Sequence, residues 1–197
     1  DELIQNSSEK EYQLHARMLE IVRQASRVNK YEDNHSLRDR YMAKNATWML
    51  DHFDNEKIAV WAHNNHIMRK NNPTTKMGEY INREIGNEYA SIGFSFSYGS
   101  FNAVGKAGNK THTITSEPLK HSINKIFSEA KSTTFSVSIS DLENYNSWQT
   151  KFSEFIILSI GANYNYKPAT YYRPLKKNYF DQLIYFDKVS ESEQLTF

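Results

Sequence analysis

Cysteine does not occur anywhere in the 197 residues, which removes disulfides, thiolate nucleophiles and Cys-ligated zinc together. No apolar stretch approaches the ~20 residues that a membrane span takes. The opening residues, Asp1-Glu2-Leu3-Ile4-Gln5-Asn6, have neither the basic nor the apolar region of a secretory leader. The chain therefore reads as a soluble protein with no membrane partner, expected in the cytoplasm. Blocks of like charge are absent too. The 24 basic and 23 acidic residues give a formal charge of +1 and are spread along the chain, so there is no electrostatic footprint for nucleic acid. What is present is core material: 39% of residues are hydrophobic and 14% aromatic, enough for one domain that buries roughly 70% of its unfolded surface.

The pattern of elements points to an α/β fold. Ser8 and Glu11 make a capping box ahead of Leu14, Met18, Ile21, Ala25 and Val28, which recur at helical spacing. Lys10, Glu20, Arg23 and Arg27 then form a solvated face. Ser36 can cap a second helix that runs to Phe53. Lys57 to Ala62 is an apolar run of strand length, and its neighbours suggest a strand buried on both faces. Thr74 or Thr75 opens a helix closed by Gly86. Tyr89 to Tyr98 alternates as a strand, residues 99–110 read as a loop and a turn, and Thr111 to Thr115 as an edge strand. Pro118 fits the first position of another helix. Further strands are expected over Phe135 to Ile139, Phe155 to Ile160 and Gln182 to Phe186, with a helix over Glu143 to Glu154. The expected architecture is a layered sheet of mainly parallel strands flanked by helices, with residues 1–197 as a single domain. No initiator methionine is present and a helix comes first, so nothing upstream supplies neighbours for a parallel strand at Ile58 to Ala62. The chain reads as part of a longer protein.

Chemistry concentrates at the end of the Lys57 to Ala62 run, where the sequence continues His63-Asn64-Asn65-His66. In open α/β sheets the carboxyl ends of strands border the site, and imidazoles there can move protons near neutral pH. As a metal site the pair is incomplete: zinc takes three or four protein ligands, and no glutamate stands between the two histidines. No cofactor is called for, although a divalent metal completed by further ligands stays open. A second feature is Arg38-Asp39-Arg40 in the first turn of the second helix. The helix dipole favours the aspartate there and disfavours the two guanidinium groups. They read either as a surface ion pair or as a planar clamp for an anion or carbonyl.

These residues also carry a family likeness. Arg38-Asp39-Arg40-Tyr41-Met42-Ala43-Lys44-Asn45, Trp61-Ala62-His63-Asn64-Asn65-His66, Met77-Gly78, Gly93-Phe94, Gly99-Ser100-Phe101 and Phe180-Asp181-Gln182-Leu183-Ile184-Tyr185 resemble the erythromycin esterase family in order and approximate spacing, over Tyr12 to Val189. The resemblance implies an erythromycin-esterase-like α/β fold and hydrolysis of a carboxylic ester by activated water, the ester being a macrolide lactone in the best-known members. The family's Gly-Glu-x-x-His-Gly motif, which carries its principal base, does not occur here. The resemblance thus makes this chain the carboxyl-terminal portion of a larger domain. It implies that His63 and His66 assist catalysis, and that Arg38, Arg40 and Asn64 contact a small-molecule ester or lactone. A domain lacking part of its sheet exposes strand edges, which favours a homodimer. The alternative is a non-catalytic binding or accessory module linked to carbohydrate or polysaccharide metabolism.

Overall fold

The computed structural model describes residues 8–30, 35–53, 57–70, 74–106, 108–144 and 155–193. They group into two compact units. The first holds the chain up to Ala62 together with Lys70–Tyr89, and the second holds His63–Arg69 together with the chain from Ala90 onward.

The first unit is helical. Helix α1 (Glu9–Lys30) starts as its sequence demands: the Ser8 hydroxyl accepts a hydrogen bond from the Glu11 backbone N–H. It is amphipathic in sequence, yet the side it turns to helix α2 (His35–His52) is polar. Arg17 donates to the Lys44 carbonyl and to Asn45 Oδ1, both at 2.6 Å, and lies over the Trp48 ring. Asn45 in turn donates to Gln24, the buried residue of α1. Leu14, Met18 and Ile21 are exposed. Helix α2 packs Ala43 and Ala46 into a small core shared with Met77 and Ile81 of helix α4 (Met77–Ile85). Gly86 stops α4 at a positive φ of 56°, its N–H bonded to the Asn82 carbonyl. That conformation suits a residue without a Cβ.

The expected strand at Ile58 to Ala62 is not one. Residues 57–61 are exposed, and among the described residues no strand pairs with them. Composition made this run strand-like, but a strand forms only where a neighbour takes up its backbone groups.

The second unit is built on a four-stranded sheet in the order β2-β1-β6-β3. Strand β1 (Ile92–Gly105) is parallel to β6 (Gln182–Val189) and antiparallel to β2 (Gly108–Ile114), and β3 (Thr134–Ser138) is antiparallel to β6. The sheet is therefore mixed rather than mainly parallel: one pair is parallel and two are antiparallel. Residues 99–105, read from sequence as a loop, continue β1 because β2 folds back on them in register. Gly99 marks the changeover. It faces Val189 on one side and Ile114 on the other, with φ at 113°, and an added Cβ would lie 2.0 Å from the Val189 carbonyl oxygen.

Smaller elements complete the unit. Helix α5 (Ile123–Ser128) begins at Ser122, whose hydroxyl accepts from the Lys125 N–H, rather than at Pro118. Ile139 leaves the sheet to start helix α6 (Ile139–Asn144). The expected helix over Glu143 to Glu154 lies mostly outside the described residues. Strands β4 (Ile156–Leu158) and β5 (Tyr172–Pro174) form a separate two-stranded sheet. Along β1 the buried positions are Gly93, Ser95, Ser97, Gly99 and Ala103, and the hydroxyls of the two buried serines are engaged. Ser95 donates to the Leu158 carbonyl, while Ser97 bonds both the Asn124 carbonyl and the Tyr185 phenol, the latter at 2.6 Å. Burial pushes the Tyr185 phenol well above its ordinary range. Leu183, Tyr185, Ile123 and Ile157 make the apolar part of this core.

Candidate active site

The His63-Asn64-Asn65-His66 sequence forms a single helical turn, α3 (Asn64–Ile67), in the second unit. His63 is its N-cap. The backbone there is extended, and the imidazole Nδ1 accepts a hydrogen bond from the Asn65 N–H at 3.2 Å. The other ring nitrogen, Nε2, donates to the Ile160 carbonyl at 2.7 Å. This pair of bonds fixes a neutral ring with its proton on Nε2. Burial lowers the pKa of His63, the Ile160 carbonyl works against that shift, and the nearby charge of His66 reinforces it.

Asn64 is buried, and its side-chain amide faces the backbone of Phe94. Nδ2 donates to the Phe94 carbonyl at 2.6 Å, and Oδ1 accepts from the Phe94 N–H at 3.0 Å. The amide thus occupies the place a neighbouring strand would take on that edge of β1. Its first effect is to seat the histidine turn against the sheet. The exit of the turn is held as firmly. Ser91 donates its hydroxyl to the Ile67 carbonyl at 2.6 Å, and Asp181 Oδ2 accepts from both Arg69 Nε and the Ser91 N–H at 2.9 and 2.7 Å. His66, half-buried, is presented by this frame, its own N–H bonded to the His63 carbonyl.

In the Arg38-Asp39-Arg40 motif the structure reverses the emphasis of the sequence. Both arginines are exposed on α2, and the aspartate between them is fully buried in the first unit. Asp39 Oδ1 accepts from the Met77 N–H at 3.0 Å and Oδ2 lies 3.5 Å from the Lys76 ammonium. It caps α4 across a sequence gap of 38 residues, where a carboxylate meets the positive end of the helix. Sequence reading passed over this role because nothing local to Asp39 marks a cap for another helix. The aspartate at 181 was visible as part of a motif, but not as the anchor of the turn. Among the described residues no group of three or more His, Cys, Asp or Glu side chains could hold a metal ion. No described helix is long and apolar enough to cross a membrane.

The family model described as Erythromycin esterase matches residues 1–189. The chain belongs to the erythromycin esterase family. Solved structures agree with that membership. A Bacillus cereus protein is 27% identical with a TM-score of 0.67, over 80% of this chain and 39% of that one. A succinoglycan biosynthesis protein is 24% identical with a TM-score of 0.65, over 81% and 40%. Erythromycin esterase EreC in its open conformation is 16% identical with a TM-score of 0.53, over 79% and 38%; the last two show likeness of fold alone. The family member described here spans about 40% of the length of the structures that it matches. The motifs that carried the likeness in sequence now have separate places: the His63 turn, Gly93-Phe94, Gly99 and Asp181 in the second unit, and the Arg38 motif and Met77-Gly78 in the first.

Proposed function

We propose that the chain contributes a histidine-bearing turn to the site of a carboxylic-ester hydrolase that acts through activated water, with a lactone of the macrolide type as the substrate class. The observation that supports this most is the construction of α3, where three separate anchors, at Ile160, Phe94 and Asp181, hold one turn so that His66 is presented in a fixed place. Fixed placement of an acid–base group is what general acid–base catalysis needs. In this reading His66 is the imidazole that exchanges a proton with water or the leaving alkoxide. His63, with both nitrogens engaged on backbone, positions it. Asn64 serves substrate binding through the turn that it seats.

A panel of esters and lactones, including a macrolide, tests it on the natural polypeptide that carries this sequence. His66→Ala is expected to lower turnover at least ~100-fold with the melting temperature little changed. Unaltered turnover in that variant sinks the assignment. One observation favours a second reading, a binding module without hydrolysis: the His63 ring has no nitrogen left over for a substrate in this arrangement. Calorimetric binding of a panel member that is never hydrolysed would select it.

A further inference from the structure

Asn124, the second residue of α5, is fully buried, and its amide is engaged in two directions. Toward β1, Nδ2 donates to the Ser95 hydroxyl at 2.8 Å and to the Phe96 carbonyl at 2.7 Å. Toward β4, Oδ1 accepts from the Leu158 N–H at 2.8 Å. The Ser95 hydroxyl closes a ring by donating to the Leu158 carbonyl at 3.2 Å. Both backbone groups of Leu158 are thus held by side chains from α5 and β1. An amide can do this because it carries donors and an acceptor on one rigid plane, as a peptide group does. A polar group engaged in this way inside a core fixes one arrangement of the strands around it, since any slip leaves a buried group unpaired. The backbone of Asn124 is tied as well, its carbonyl accepting from the Ser97 hydroxyl at 3.2 Å.

The two strands that Asn124 joins are also the source of two anchors of the histidine turn. Phe94, two residues before Phe96 on β1, holds the Asn64 amide. Ile160, two residues beyond Leu158, accepts the His63 Nε2 proton. The turn is therefore gripped from β1 at one point and from the segment after β4 at another, and its geometry depends on the spacing between them. We propose that Asn124 is a positioning residue of the candidate site: by fixing β4 against β1 it places the Ile160 carbonyl where that oxygen selects the Nε2–H form of His63, and so orients the turn that presents His66. An imidazole whose Nε2 faces a carbonyl oxygen keeps its proton there, which leaves Nδ1 as the acceptor for the Asn65 N–H at the start of α3. With the carbonyl displaced, that preference and the cap are lost together. The effect on His63 is independent of any reaction, while the effect on turnover rests on the hydrolase reading above.

Nuclear magnetic resonance of the natural polypeptide that carries this sequence, isotope-labelled at the histidine nitrogens, reads His63 directly. Asn124→Ala is expected to speed exchange of its Nε2 proton at least ~10-fold and to move the ring toward a mixture of tautomers. Ser95→Ala, a milder change that decides the matter if Asn124→Ala does not fold, is expected to do the same to a smaller degree. Ser122→Ala removes the cap of the same helix, where the hydroxyl accepts from the Lys125 N–H and donates to the Leu119 carbonyl, and is expected to leave the His63 signals in place. On an ester panel, Asn124→Ala is expected to lower kcat ~10-fold or more with KM held within ~2-fold. An unchanged His63 in a folded Asn124→Ala or Ser95→Ala variant overturns the proposal, and so does an equal change in Ser122→Ala, the sign of general loosening. A kcat that stays level while the His63 signals shift overturns it too. A polypeptide that hydrolyses no ester yet shows the His63 change supports it and counts against the hydrolase reading alone.

Discussion

The His63 ring holds backbone at both nitrogens, and burial keeps it neutral. Its folded pKa lies below the unfolded value of 6.5, so as pH falls the unfolded chain takes up the proton first. The stability contribution of this group is therefore complete above 6.5 and is lost as pH falls below it. Thermal melts followed by circular dichroism are expected to show a smaller fall in Tm between about pH 7.5 and about pH 5.5 for His63→Asn than for the unaltered chain, because asparagine keeps a cap without titrating there. At Asp39 the expected signature is a contrast between variants. Asp39→Ala removes the cap of α4 and leaves the little-exposed Lys76 ammonium without its carboxylate, a loss of about 2–4 kcal/mol in urea unfolding. Asp39→Asn preserves the acceptor and is expected to lose less. Arg38→Ala and Arg40→Ala, both at exposed positions, are expected to stay within about 0.5 kcal/mol in stability.

Among the elements, β1 depends on two residues for which size or shape is decisive. Gly99→Ala would place a Cβ against the Val189 carbonyl in a backbone conformation that L side chains rarely adopt, and is expected to cost about 3 kcal/mol or more in chemical denaturation. Asn64→Leu retains bulk but removes the two hydrogen bonds that the amide makes with the Phe94 N–H and carbonyl, an expected loss of about 2 kcal/mol together with loss of turnover, since the turn is no longer seated. These dependencies also show what sequence could reveal. Helix α1 was legible from its Ser8 cap and periodicity, α2 from periodicity, and α4 from periodicity and Gly86, because those signals are local; the caps expected at Ser36 and at Thr74 or Thr75 were not found, since Ser36 lies inside α2 and Asp39 takes the Met77 N–H at the start of α4. The sheet was less so. Over residues 92–98 of β1 the buried positions are Gly93, Ser95 and Ser97, the inverse of what hydrophobic alternation suggests, because that face packs closely against Asn124 and Tyr185 and satisfies its hydroxyls there. The Lys57 to Ala62 run misled for the opposite reason: apolar β-branched composition says that a segment suits a sheet, not that a neighbour exists for it to pair with.

Across the whole molecule, the site was legible as a cluster of residue types and far less so as roles. The spacing of His63 and His66 drew attention to the turn at residues 63–67 but made the two histidines appear equivalent, and the long-range partners at Ile160, Phe94 and Asp181 that hold this turn became visible only in the structure. None of those partners lies within 20 residues of the turn, so no local pattern could announce them.

The course of the chain through the two units has a consequence for inheritance. Residues 63–69 belong to the second unit, yet they are joined on both sides to segments of the first. A recombination event or deletion that moved residues 90–197 as a cassette would transfer the sheet without the turn, and would leave Phe94 lacking the amide that stands in for a strand. A cassette that carries both the histidines and the sheet must therefore include residues 70–89, with helix α4, between them.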